Sequence, residues 1–257
     1  MFTLLTISDR SDISRFARGA RERRIRDYTP AALMPTLPLL LAGPTSAIVL
    51  AHLSAKHHHS TALGIMAFGV ALQGMGALVS LMHSSSVLSN LYTIGFPAAA
   101  DRPSLFLTCI PPALTSWAAT SLGEQALHHF PSAVTVPGTE PGTVVGGVAL
   151  YYVGTTFGLL FWGLALWWFI VAAAANLAVV NELGIGNNLL EGFNVVFTHA
   201  ALFLASNELL RAFAWPKALT VLNELLGVAT LLVWAALVVV CGIGMVTGRL
   251  LRDGSEE

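Results

Sequence analysis

Residues 102–123 read RPSLFLTCIPPALTSWAATSLG, an apolar run with two adjacent prolines, Pro111 and Pro112, near its centre. Proline lacks a backbone donor and its ring clashes with the preceding turn, so the pair would break a buried soluble helix. In a bilayer such a pair is tolerated where the freed carbonyls face protein or a wet cavity. Behind the prolines come Thr115, Ser116, Thr120 and Ser121, hydroxyls set among small residues. The stretch therefore predicts a membrane helix interrupted at mid-membrane, with polar groups just beyond the interruption.

Composition agrees with a lipid solvent. Of 257 residues 55% are hydrophobic and only 11% charged, against about 25% charged in a soluble domain. Mean hydropathy is +0.71. Little chain remains for a soluble domain. The formal net charge of −1 gives no ground for a nucleic-acid partner. Residues 1–7 are too short for the apolar core of a signal peptide. The two cysteines, Cys109 and Cys241, fall in apolar runs without a CxxC partner, which predicts buried free thiols.

With a span of about 20 residues as the ruler, the sequence predicts an all-α polytopic fold of six spans. They lie at 31–53, 63–91, 104–127, 148–179, 193–213 and 218–245, within one transmembrane domain, 29–248. A basic segment, 1–28, precedes it and a charged tail, 249–257, follows. Pro35, Pro38 and Pro44 in the first span predict a kinked helix. Gly64, Gly69, Gly74 and Gly76 in the second predict a close-packing face. Gly154 and Gly158 form a GxxxG in the fourth, a weak signal by itself, and Trp162, Trp167 and Trp168 serve as packing or interface anchors. Lys56 with His57, His58 and His59 reads as a wet loop; no acidic or Cys partner stands nearby to make a metal site.

An even number of spans puts both ends on one side. The N-terminal segment, Arg102 and the tail hold ten Lys and Arg residues, and the opposite loops hold three, Lys56, Arg211 and Lys217. That bias predicts cytoplasmic termini. Spans one, three and five then run outward, and they carry the unusual features: prolines in one and three, His199 and phenylalanines in five. Spans two, four and six are smoother, which suggests an inner and an outer ring of helices.

YTPAALMPTLPLLLAG at 28–43, QGMGALVSLM at 73–82, the 102–123 stretch and FGLLFWGLALWWF at 157–169 together resemble the tellurite-resistance/dicarboxylate transporter family. The fungal malic-acid permeases look nearest; plant slow anion channels and fungal sulfite pumps look more distant. The resemblance implies ten helices in five hairpins, odd-numbered ones around an anion pathway and even-numbered ones outside. Spans one to six resemble family helices five to ten, so helices one to four have no counterpart here. A truncated relative, an incomplete gene reading and a half that needs a partner are all open. Ile110 stands where the family's Gly-Pro-Pro element has glycine, and 193–198 resembles the second half of a Trp-Trp…Phe-Pro-Asn-type motif.

The predicted pathway residues are Pro38, Pro44, Pro111, Pro112, Thr115, Ser116, Phe193, Phe197 and His199. A helix restarted at mid-membrane would offer unbonded amides and the positive end of its dipole to an anion. Thr115 and Ser116 would donate to it. The plainer reading is that the prolines shape packing and the hydroxyls bond back to their own helix. Phe193 or Phe197 would occlude the path, or simply pack. His199 is the ionisable residue nearest the middle of a span, a functional candidate by position, or else a hydrogen-bonded packing histidine. Glu124, Glu208, Arg211 and Glu224 read as interface residues.

No nucleophilic triad, phosphate loop, metal set or cofactor box stands out, so no enzyme and no cofactor is predicted. The expected function is transport of small organic anions, malate-like C4 dicarboxylates first. Sulfite or another anion is the alternative, and a non-transporting membrane subunit the third. The expected partners are the anion, the lipid bilayer, and a homo-oligomer or complementing membrane subunit; the expected location is the plasma membrane.

Overall fold

The computed structural model describes residues 30–53, 59–130, 146–179, 192–213 and 215–246. The basic N-terminal segment, the loop with Lys56, His57 and His58, the Pro131–Pro141 loop, the connection before the fifth span and the charged tail lie outside them. The described residues form helices and no strand. We label the helices α1 (Leu37–His52), α2 (His59–Thr93), α3 (Ile110–His129), α4 (Gly146–Leu177), α5 (Gly192–Ala212) and α6 (Lys217–Val246). Two 3-10 leads, Pro30–Thr36 and Ala99–Cys109, run directly into α1 and α3. Among the described residues six helical runs are long and apolar enough to cross a membrane. Helix is the natural choice there, because each segment must satisfy its own backbone in lipid.

The prolines explain the leads. Pro111 and Pro112 lack the amides that the carbonyls of Leu107 and Thr108 would accept in an α-helix. The chain ahead of them therefore winds tighter, and the Ile110 N–H goes to Leu107 O at 3-10 spacing. The sequence predicts a break here; the backbone instead changes pitch. Cys109, at φ −76° and ψ −28°, and Ile110, at φ −62° and ψ −49°, are both helical. The predicted row of free amides is thus absent at this point: one is bonded and the next two residues have none. Pro111 and Pro112 occupy the first turn of α3, where a missing N–H goes unnoticed. Pro38 does the same in α1. Pro44, by contrast, sits inside α1, fully buried.

Consecutive helices pair as hairpins, α1 with α2, α3 with α4, and α5 with α6. Across the hairpins, α3 packs against both α1 and α5, while α1 and α5 make no comparable contact with each other. The odd-numbered helices thus form an open arc with α3 at its centre. Of the most apolar window in the α3 run 83% is buried, against 11% in α6, which marks α3 as the core and α6 as the rim.

The tightest seam is α3 against α4. A Cβ on Gly154 would strike Ala119 O, and one on Gly158 would strike Thr120 Oγ1. A Cβ on Gly147 would lie 2.6 Å from Ala126 O. Small residues at these positions bring the two backbones together, as between other membrane helices. The GxxxG that looks weak in a glycine-rich sequence is the centre of this contact. Beside it, Leu105, Phe106, Cys109, Ile110 and Ala113 pack on Trp168 and Ala172. Cys109 and Cys241 are buried free thiols, and Cys109 Sγ donates to Ala165 O at 3.2 Å.

Arg102 fastens the Ala99–Cys109 lead to α4. Its Nε donates to Pro97 O and its Nη1 to Ala175 O, both at 3.0 Å. Asn176 Nδ2 returns a bond to Arg102 O at 3.1 Å. On the α5 side, Thr198 Oγ1 donates to Phe106 O at 2.7 Å. The turn before the lead depends on Gly95, whose φ of +93° disfavours any residue with a Cβ.

Candidate functional site

Thr115 is buried one turn into α3, and its hydroxyl bonds back to Pro111 O at 2.8 Å. It also accepts from Gln73 Nε2 of α2 at 3.1 Å. The other end of that amide, Gln73 Oε1, accepts the Gly43 N–H of α1 at 3.3 Å. Gly43 precedes the internal Pro44, so one buried amide joins the proline-bearing turn of α1 to the start of α3. One turn-pair along, Ser80 shares a 3.0 Å hydrogen bond with Thr36, the last residue of the first lead.

Beside these bridges, between α2, α3 and α4, lies a cavity of about 10 Å³, lined by Ser80, Ser84, Pro111, Pro112, Thr115 and Trp168 among others. That is room for about one water. Two further hydroxyls of α3, those of Ser116 and Ser121, are buried with no partner among the described residues. Thr120 Oγ1 takes Ser116 O at 3.0 Å. The core of α3 is thus supplied with hydroxyl groups, some already paired and two not.

His199 of α5 is half-buried and points its ring at two aromatic neighbours. Its centroid lies 5.0 Å from Phe169, at 88° between planes, and 6.3 Å from Phe106. Its Nδ1 donates to Val195 O at 2.7 Å, because a carbonyl can only accept. In the neutral ring Nε2 is then the acceptor. His199 also lines a 160 Å³ cavity between α5 and α6 with Val195, Val196 and Thr230.

The predicted site residues are only partly gathered. Pro111, Pro112 and Thr115 share one cavity, Ser116 is buried beside it, and Pro44 is tied in through Gly43 and Gln73. His199 reaches the α3 lead through Phe106. Pro38 is exposed, and Phe197 is 58% exposed on the far side of α5. Phe193 is half-buried one turn earlier.

Sequence reasoning passed over Gln73, Ser80 and Ser84. Their spacing places them on one face of α2, and a polar stripe at helical period in an apolar run was the available signal. The sequence places Glu124, Glu208 and Arg211 near the outer ends of their spans, as interface residues. In the structure they meet: Arg211 Nη2 lies 3.6 Å from Glu124 Oε1, and Nη1 lies 3.5 Å from Glu208 Oε2.

These features define a polytopic α-helical integral membrane protein with polar groups sealed between its proline-led helices. The chain belongs to the voltage-dependent anion channel family, whose model matches residues 6–241. Two proteins of Schizosaccharomyces pombe are similar to it. One, provisionally named as a malic acid transport protein, is 24% identical over 237 residues, covering 91% of this chain and 52% of that protein. The other, named as a malic acid transport protein, is 26% identical over 157 residues, covering 60% of this chain and 33% of that protein. The chain therefore spans about half or less of the length of these relatives. No solved structure matches it significantly.

Proposed function

We propose that the chain carries small organic anions, malate-like C4 dicarboxylates first, across a membrane. The observation that carries this reading is the arc of α1, α3 and α5, two of them proline-led, inside a family of anion channels. The names of the two yeast relatives point to malate among the organic anions. The path runs along the inner side of the arc. Ser116 offers a hydroxyl donor in α3 that is unpaired among the described residues, beside Thr115, whose own O–H goes to Pro111 O, with Pro44, Pro111 and Pro112 shaping the helices around them. His199 stands at the edge of α5. Pro38 and Phe193 meet the path on the open side of the arc, where further helices would face them, while Phe197, on the far side of α5, lies off it.

Hydroxyl donors suit this cargo. A carboxylate held by neutral donors binds without the deep well of a fixed cation and leaves again. The one-water cavity beside Thr115 lies between α2, α3 and α4 and is too small to hold a dicarboxylate. The open side of the arc is completed by a second copy or a complementing membrane subunit. Both termini face the cytoplasm and the host membrane is the plasma membrane, in keeping with the basic bias of the N-terminal side.

Labelled malate uptake into proteoliposomes holding this chain tests the reading. Uptake above protein-free vesicles is expected. No uptake by correctly inserted protein, alone or co-reconstituted with a complementing subunit, overturns it.

A further inference from the structure

At the end of the bundle where α3 and α5 finish and α4 begins, the three helices enclose a pocket of about 290 Å³. This is close to the lower end of the usual range for small-ligand sites, about 300 Å³. Its charged and polar lining comes from Thr120, Glu124 and His128 of α3, Tyr151 of α4, and Glu208 and Arg211 of α5. No residue of α6, which packs on α5, contributes to the lining. Tyr151 Oη donates to Ala212 O at 3.3 Å and so holds α4 to the end of α5.

Arg211 is the cation of this pocket, and two carboxylates of its own chain flank it. The contacts at 3.5 and 3.6 Å are longer than the 2.7–2.9 Å of a tight charge-assisted bond. The Arg211 side chain is 61% exposed, against 37% for Glu124 and 15% for Glu208. The guanidinium is therefore loosely held and open to solution, with donors left over for a second partner. The carbonyl ends of α3 and α5 add negative potential at the same place. With both glutamates ionised and His128 neutral, the pocket sums to one negative charge, and an arriving anion is repelled. With both glutamates protonated the sum becomes one positive charge, and protonation of His128 adds another.

We propose that this pocket is an acid-operated anion site, in which Arg211 takes a carboxylate of the incoming anion. Glu124 and Glu208 are internal competitors that release Arg211 as each accepts a proton from solution. The substrate class is a small carboxylate, and a dicarboxylate has a second group for His128. The inference rests on the transport reading and places a first station for the anion at this mouth of the bundle.

The test is binding of labelled malate to the purified chain in lipid nanodiscs, at about pH 4.5 and about pH 7.5. The first value lies near the usual carboxylate range and the second well above it. Wild type should bind several-fold more tightly in acid, as expected when the negative charge beside the ligand is partly neutralised. The double variant Glu124→Gln, Glu208→Gln should bind at neutral pH at least as tightly as wild type does in acid. Arg211→Gln should lose binding at both. A double variant that keeps the wild-type pH dependence overturns the proposal, as does wild type that binds at neither pH. Should Arg211→Gln fail to fold, the near-isosteric glutamine pair decides alone. Uptake separates the two readings: binding without uptake sinks transport and keeps the site. Uptake with an unchanged pH profile in the double variant does the reverse.

Discussion

Gln73 Nε2 donates to Thr115 Oγ1 at 3.1 Å while the same amide accepts from the Gly43 N–H. An outer helix thus reaches between two inner ones and ties Gly43 of α1 to Thr115 of α3. Interhelical hydrogen bonds of this kind contribute roughly 1 kcal/mol each in a membrane protein. Gln73→Leu should lower the thermal unfolding midpoint in micelles and make α1 and α3 easier to part. An unchanged midpoint would show that the bridge has no structural weight.

The α3–α4 seam admits no side chain at its glycines. Gly154→Leu should destabilise the protein by about 1–3 kcal/mol or more, the usual range for overpacking. Gly163 lies on the same helix, and a Cβ there would meet nothing within 4 Å, so Gly163→Leu serves as the control and should be silent. Folded yield after detergent extraction reads the difference.

Arg102 closes the turn that Gly95 opens. Its two donor bonds go to carbonyls on opposite sides, which a lysine ammonium on its flexible stem reproduces poorly. Arg102→Lys should loosen the 94–101 turn and raise its rate of proteolysis several-fold, without changing the global unfolding midpoint by more than about 1 kcal/mol. Equal cleavage rates would count against the staple.

Pro111 and Pro112 set the pitch of what precedes them. With alanine at both, Leu107 O and Thr108 O regain α-type donors and the 11-residue lead can relax from 3-10 to α. At about 2.0 against 1.5 Å per residue the lead would shorten by about 5 Å. That shift would pull Phe106 O away from Thr198. Malate uptake should fall several-fold, while Glu224→Ala, at the α5–α6 rim, leaves it unchanged. Similar uptake in both variants would remove the proline turn from the pathway.

His199 distinguishes packing from chemistry. His199→Phe keeps an aromatic ring against Phe106 and Phe169 but loses the Nε2 acceptor and the Val195 bond. If the ring only packs, stability and uptake both stay near wild type. If the nitrogen takes part in transport, uptake falls at least about tenfold with the fold intact, the usual scale for a positioned proton-transfer group being larger still.

Much of this protein is readable along the chain, for a physical reason. Lipid demands that each spanning segment satisfy its own backbone, so long apolar runs become helices wherever they pack. The six runs and the contrast between odd and even spans follow from local composition; the hairpin order entered only through the family resemblance. Pro111 and Pro112 are visible as a disturbance in the same way. Whether they break a helix or begin one is not local: it depends on the tighter winding of Ala99–Cys109, which Thr198, Ala175 and Asn176 hold from other helices. The Gly154–Gly158 pair shows the same limit. Its motif recurs in any glycine-rich membrane chain, and only the partner at Ala119 and Thr120 makes it a seam.

The sequence by itself determined that this is a helical membrane protein, with six membrane-length helices among the described residues and prolines in the first and third spans, because hydropathy and proline chemistry act over a few residues. The tertiary structure alone decided which polar groups share a site. It brought Gln73 to Gly43 and Thr115, turned Phe197 outward, and set Arg211 between Glu124 and Glu208. Those meetings join residues far apart in the chain through helix rotation and close approach, and neither quantity is written in the order of the residues.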